Sequence, residues 1–383
     1  MMLSDLPSDL AEEVLVRLPV TSMRAVRFVC KKWNTLTKEE SFTKKHVARA
    51  NAAAAREVVM ANSLALPIDG VDMSEVFHCD GLLLCITRDR TRFVVWNPYC
   101  GQTRYFNRKD VMDKYAIGYE RDKYAIGYET RESSGRSYKV LRFGEFNSEY
   151  VYYELDYINS SETRMVIIPT VITADWFIPY HQRGVSLKGN TYWYCQSKSN
   201  AGGRVFFLVC FDFTRERFGP HLSLPFLSYT GDTLSISSVR DEQLAVLFQQ
   251  EDTLHMEIWI TTEIEPETVS WSKLFFAVDG LHIPVPGRRF GSFFVDEEKK
   301  VVVVFEKEYC REMWESNIAA YIIGEDGIIT KVDLGKAVST SSYHPQMCSC
   351  VPSLAQIKLN DHNCKAEELS LSFNTLTRSG FLA

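Results

Sequence analysis

The chain has 383 residues, long enough for two or three structural units around sizeable cores. Hydrophobic residues at 45% and charged residues at 24% exclude wholesale disorder. A net charge of -6 argues against nucleic-acid binding through a broad basic surface.

That charge is uneven. Residues 1–60 hold ten Lys/Arg against seven Asp/Glu, a balance of +3, and the remainder holds 33 against 42, a balance of -9. The opening "MMLSDLPSDLAEEV" lacks a basic region followed by an apolar stretch, and no apolar run approaches membrane-helix length. The expectation is an intracellular protein, cytoplasmic and/or nuclear, with neither signal peptide nor membrane contact. Its ten cysteines then read as reduced small hydrophobes, and the sequon Asn159-Ser160-Ser161 as unglycosylated.

Helical spacing comes first. Pro7 and Asp9, with Glu12 three residues on, suggest a helix start of the capping-box kind, and Leu10, Val14 and Leu18 share a stripe that Pro19 ends. Thr21 or Ser22 can cap a second helix carrying Met23, Val26, Cys30 and Trp33 at three- and four-residue steps. A third stretch, Ser41 to Val59, is alanine-rich and of good helix propensity.

The period changes after about residue 75. "RFVVWNP" (92–98), "SYKVLRF" (137–143), "YVYYELDY" (150–157), "RVFFLVCFDF" (204–213), "HMEIWIT" (255–261) and "KVVVVFE" (300–306) are β-branched and aromatic runs bounded by turn residues. Strands ending near Trp96, Tyr153, Phe211, Trp259 and Tyr321 recur at separations of 57, 58, 48 and 62 residues. A few antiparallel strands recurring every 40 to 60 residues or so make a propeller blade in the range of kelch-type repeats. A large β-sandwich accommodates the same spacing. The expected fold is therefore α+β and multidomain: a small N-terminal three-helix unit followed by an all-β, propeller-like body of antiparallel blades.

One loud repeat lies outside that rhythm. Asp113–Glu120 recurs letter for letter as Asp122–Glu129. The second copy precedes a polar turn and a good strand, so it fits a hairpin of the body. The first, Asp113 to Arg121, reads as a looped insertion or an extra edge strand.

A helical segment of this size seldom buries enough surface alone, so part of its apolar face should meet a partner or the β body. "LPSDLAEEVLVRLPVTSMRAVRFVCKKWNTLTKEESFTKKHVARA" resembles the F-box along its whole length, through Leu6-Pro7, Asp9-Leu10, Val14-Leu15, Arg17-Leu18-Pro19, Arg27, Val29-Cys30-Lys31, Trp33-Asn34 and Leu36. It departs at Met23 and Ala25, positions the family often fills with leucine. The resemblance implies docking to the Skp-family adaptor of an SCF (Skp, cullin, F-box) ubiquitin ligase and, through it, to the cullin scaffold. Leu6, Pro7, Leu10, Leu15, Leu18, Cys30 and Trp33 then carry over as adaptor-docking or head-core residues, with Trp33 the first to truncate. "GLLLC" (81–85), "VVWNPYCGQTRYF", "YAIGYE", "RSYKVLRF", "GVSLKGNTYWYC" (184–195) and "LVCFDFTRERFGP" resemble the F-box-associated type 1 domain of the plant F-box family. That implies a kelch-like fold and capture of a target protein.

The implied organisation is an F-box at 1–50, a helical extension or linker at 51–74, a substrate-recognition domain at 75–370 and a tail at 371–383. The expected role is the substrate receptor of an SCF ligase, non-catalytic and without cofactor, metal or nucleic acid. The alternatives are a propeller-like ligand or glycan-binding module capped by helices, and a propeller enzyme. No G-x-S-x-G, Walker A, G-x-G-x-x-G or H-E-x-x-H string supports the latter. His344, Cys348, Cys350, His362 and Cys364 lack a C-x-x-C pair, and "CSCVPSLAQIKL" reads as an alternating strand. Substrate-binding residues stay unknown, with Thr261 to Glu267 and Gly280 to Arg289 candidates as the longer polar loops.

Overall fold

The computed structural model describes residues 7–18, 23–37, 39–52, 57–60, 73–99, 102–107, 122–131, 135–145, 150–160, 162–169, 176–179, 182–198, 205–229, 231–239, 242–253, 255–278, 292–297, 299–310, 315–336, 347–350, 355, 357 and 375–377. Four helices lead: α1 (Ser8–Leu15), α2 (Met23–Val29), α3 (Lys31–Leu36) and α4 (Glu40–Ala52). The expected Asp9–Glu12 capping box is absent. Pro7 occupies the N-cap with no side-chain cap bond, which puts Asp9 in the first turn, where its charge complements the helix dipole. The second expected helix is two, because Cys30 is extended (φ -161°, ψ 159°) and reopens the chain before α3.

The body is a β-propeller of five blades. Blade 1 is β2 (Met73–Cys79), β3 (Leu82–Thr87), β4 (Arg92–Asn97) and β5 (Gln102–Asn107), and blade 2 is β6 (Lys123–Arg131), β7 (Gly135–Glu145), β8 (Tyr150–Tyr157) and β9 (Thr163–Pro169). Blade 3 splits its first strand into β10 (Trp176–Phe177) and β11 (Val185–Leu187), followed by β12 (Asn190–Ser197), β13 (Phe206–Asp212) and β14 (Arg217–Ser223). Blade 4 is β15 (Thr233–Val239), β16 (Gln243–Gln249), β17 (Met256–Ile264) and β18 (Val269–Val278). Blade 5 is β19 (Phe293–Asp296), β20 (Val301–Cys310), β21 (Glu315–Gly324) and β22 (Ile329–Lys336). Every blade is an antiparallel meander, and the first strands of successive blades touch around the axis.

This packing explains the continuous apolar runs. An inner strand of a blade is covered on both faces by its neighbours, so alternation disappears and β3 is buried at every position. Leu84 and Val95 meet Ile126 and Val140 between blades 1 and 2, and Leu141 and Tyr153 meet Trp193 and Phe211 between blades 2 and 3. Similar seams join blades 3 to 4 and 4 to 5. The fourth strands face outward, and β14 is exposed at most positions. Tight first turns use Asp80-Gly81 and Lys188-Gly189, both pairs at positive φ as a type I′ hairpin requires.

Three short strands lie outside the five blades. The segment 51–74, expected as a helical extension or linker, carries β1 (Glu57–Met60), and the expected tail carries β24 (Thr375–Thr377). These strands join β23 (Met347–Cys350) in a three-stranded sheet ordered β23-β1-β24, tying a strand that precedes the five blades to two that follow them. Isolation would leave each of these three- or four-residue strands unpaired; pairing across the chain is what makes them strands. Cys348 and Cys350 sit on β23, whereas His344, His362 and Cys364 lie outside the described residues, as does Asp113 to Arg121.

Strand direction sorts the connections by face. In each meander the turns after the first and third strands lie on one face, and the turn after the second strand and the link to the next blade lie on the other. Thr261–Glu267 is accordingly no long loop: β17 continues to Ile264, and a short turn carries Glu265, Pro266 and Glu267. Gly280 to Arg289 falls outside the described residues, between β18 and β19.

Candidate functional site

The head's core is assembled from Ala11, Leu15, Met23, Val26, Trp33, Leu36 and Phe42, with Leu18 and Cys30 packed against it. One further member comes from the propeller. Tyr99, in the turn between β4 and β5, is 3% exposed and sits within the helices rather than within its own blade.

Its contacts reach several head elements. The Tyr99 hydroxyl and His46 Nδ1 on α4 are 2.9 Å apart, while His46 Nε2 lies 2.8 Å from the Leu18 carbonyl just beyond α1. A carbonyl can only accept, so Nε2 carries the proton, and Nδ1 is left to accept from the tyrosine hydroxyl. Burial pushes the His46 pKa down and the Arg27 charge pushes the same way, against the opposing Leu18 bond; the ring is held neutral more firmly than a free histidine. Arg27 on α2 donates to the Tyr99 carbonyl, and its guanidinium stands 5.6 Å from the tyrosine ring centroid. Phe42, His46 and Tyr99 form a stack with successive centroids 5.6 Å apart.

The propeller holds this tyrosine equally firmly. Asn97, 0% exposed, accepts the Tyr99 N–H at 2.9 Å and donates to the Ala355 carbonyl at 2.9 Å. Gln102 accepts the Ile357 N–H at 2.9 Å on the far side of the turn. The "WNPY" string is thus a turn built on an Asx hydrogen bond and sewn to the C-terminal part of the chain.

The residues singled out from sequence separate into two sets. Leu15 (1% exposed) and Trp33 (6%) are core, Leu18 and Cys30 are half-buried against that core, and Leu6 lies outside the described residues. Pro7 and Leu10 are exposed, Leu10 by 50%. Val14 (46%), Phe28 (66%) and Val29 (56%) join Leu10 as large apolar side chains left in solvent, and Leu10 and Val14 share one face of α1 at a four-residue step. Phe28 stood out in no motif, since apolar letters alone do not say which side of a helix is covered.

The opposite face of the propeller buries several charged side chains of blades 1 and 2. Arg90 pairs with Glu75 and donates to the Asp122 carbonyl at 3.2 Å, and Arg142 pairs with Glu154 at 2.8 Å. Lys123 donates to the Pro179 and Gln182 carbonyls at 3.0 and 2.9 Å, and burial, only partly offset by Glu75, pushes its pKa down to about 7. The Arg90 and Lys123 bonds link blades 1, 2 and 3, whereas the Arg142–Glu154 pair lies within blade 2. Among the described residues no group of three or more His, Cys, Asp or Glu could hold a metal, and no helix is long and apolar enough to cross a membrane.

A helical unit seated on the rim of a propeller, with apolar side chains left uncovered, defines a two-module binding protein. Its sequence relatives specify which. The F-box domain family matches residues 3–45, and the family described as F-box associated beta propeller domain matches residues 40–357. An F-box/kelch-repeat protein of Arabidopsis thaliana is 46% identical over 405 residues, covering 93% of this chain and 99% of its own. An F-box protein of the same plant is 43% identical over 421 residues, covering 96% and 98% respectively. The chain belongs to the F-box proteins that carry an F-box-associated β-propeller.

Proposed function

We propose that the protein is the substrate-recognition subunit of an SCF ubiquitin ligase, in the cytoplasm and/or nucleus. Its head docks on a Skp-family adaptor, and the propeller tethers a target protein for ubiquitination. The observation that carries this reading is the exposure of the apolar side chains Leu10, Val14, Phe28 and Val29 on a module of the F-box family whose core takes in the propeller's Tyr99. Large apolar side chains exposed on a small helical unit favour a protein interface. The chain itself makes no bond: it raises the rate of transfer by proximity and orientation.

The target is held on the face opposite the head. Tyr99 lies in a third-to-fourth-strand turn, so the links between blades open on the other side, where loops vary most freely. There, between β14 and β15, Leu227 is 79% and Tyr229 63% exposed.

Leu10→Asp and Phe28→Asp each weaken adaptor binding by about 30-fold or more if these side chains are interface anchors, with the melting temperature unchanged. Copurification of the full chain with a Skp-family adaptor is the measurement, and failure of the unsubstituted protein to copurify refutes the reading. The seat on Tyr99 also suits a ligand-binding propeller whose helices are only a cap. That reading requires both aspartate variants to leave every partner in place.

A further inference from the structure

We propose that Tyr99 is a positioning residue that pins the head to the propeller in one orientation, so that the adaptor-facing and target-facing surfaces keep a set geometry. The consequence for ubiquitin transfer rests on the function proposed above; the pin itself does not.

The geometry supports a pin rather than a simple contact. Tyr99 is anchored on the propeller side by Asn97, itself bonded to Ala355, so the tyrosine cannot swing without breaking the turn. On the head side it is gripped at separate points: its hydroxyl by His46, its carbonyl by Arg27, and its ring by both of these side chains. His46 extends the grip to the Leu18 carbonyl, and Arg27 extends it to the Thr37 hydroxyl at 3.3 Å, beyond the end of α3. A single propeller side chain therefore contacts α2 and α4 and, through one intermediary each, the ends of α1 and α3. Rotating the head on its seat would strip several of these bonds at once and leave polar groups buried without partners.

The pin is also separable from docking. Leu10, Val14, Phe28 and Val29 are exposed and absent from the cluster that contains Tyr99. Loosening Tyr99 should therefore change where the propeller points without changing whether the adaptor is held. Small displacements of reacting groups are costly in transfer reactions that depend on orientation.

The test compares the full chain with its Tyr99→Ala and Tyr99→Phe variants, alone and bound to a Skp-family adaptor. Amide exchange is followed in α2, α4 and the β4–β5 turn, and the propeller lysines modified during autoubiquitination in a reconstituted cullin ligase are mapped. Tyr99→Ala should speed exchange across α2 and α4 by about tenfold or more, keep adaptor affinity within about threefold, and spread ubiquitin over additional lysines. Tyr99→Phe keeps the ring stack and the Arg27 contact but leaves His46 Nδ1 without its donor, and should restore the lysine pattern with exchange between those of the parent and Tyr99→Ala. The proposal is overturned if Tyr99→Ala leaves head exchange and lysine pattern unchanged, or if it abolishes adaptor binding, which would make Tyr99 a part of the head's fold only. Should the parent chain not bind the adaptor while Tyr99→Ala still accelerates exchange, the ligase role falls and the pin stands.

Discussion

Lys139 offers the sharpest test of how neighbouring blades are held. Its side chain is 1% exposed, and its ammonium spends three donors on Glu129 at 2.7 Å, Glu216 at 2.8 Å and the Phe213 carbonyl at 2.9 Å, joining blade 2 to the third turn of blade 3. Lys139→Met keeps the length and removes the charge. Two carboxylates, each on a side chain 11% exposed, are then left facing one another. Removing one partner of a buried pair costs about 3–5 kcal/mol. Arg131 beside Glu129, and Arg164 and Tyr157 beside Glu216, keep the figure near the lower end. At roughly 2 °C per kcal/mol for a body of this size, calorimetry should show the melting temperature falling by about 6–7 °C. Lys139→Met combined with Glu129→Gln and Glu216→Gln should recover at least half of that loss, because no uncompensated charge remains. A Lys139→Met melting point within about 2 °C of the parent would refute the reasoning.

Two further outcomes follow from the same physics. His46 has a lowered folded pKa, so its contribution to the head–propeller seat is complete above the unfolded value of about 6.5 and is lost as the pH falls from there through the folded value. Protection of α4 amides, taken relative to the intrinsic exchange rate at each pH, should fall between pH 7.5 and 5.5 by a margin that His46→Gln abolishes, and an equal fall in that variant sinks the assignment. Deleting Asp113–Arg121 should leave stability essentially unchanged, since the second copy of the repeat supplies β6; a large drop in melting temperature would show that the first copy is structural.

How legible the molecule was depended on how local the governing interaction is. The five aromatic anchors Trp96, Tyr153, Phe211, Trp259 and Tyr321 all fall on the third strand of a blade, so the long period read from them was the blade period. The nine-residue echo is shorter than that blade period. Its second copy forms β6, where Gly127 lies so close to the Phe213 ring and the Gly189 carbonyl that a β-carbon would overlap both. Local pattern failed where pairing was distant. Val59 looked helical by alanine content nearby and is a strand because it pairs with Cys348 and Thr375. Trp33, a docking or head-core residue by sequence, is 6% exposed within the head core, so its truncation tests the head's folding.

The order of helices and strands, the blade rhythm and the F-box string were determined by the sequence itself, because periods of 3.6 and 2 and short turn signals are properties of neighbouring residues. Which apolar side chains of the head stay uncovered was decided only in three dimensions. Leu10 and Leu15 are the same residue on the same helix, 50% and 1% exposed. The difference arises from what packs beneath α1, and the seat of the head is completed by a tyrosine 53 residues beyond the histidine it meets. No local pattern encodes a contact between positions so far apart in the chain.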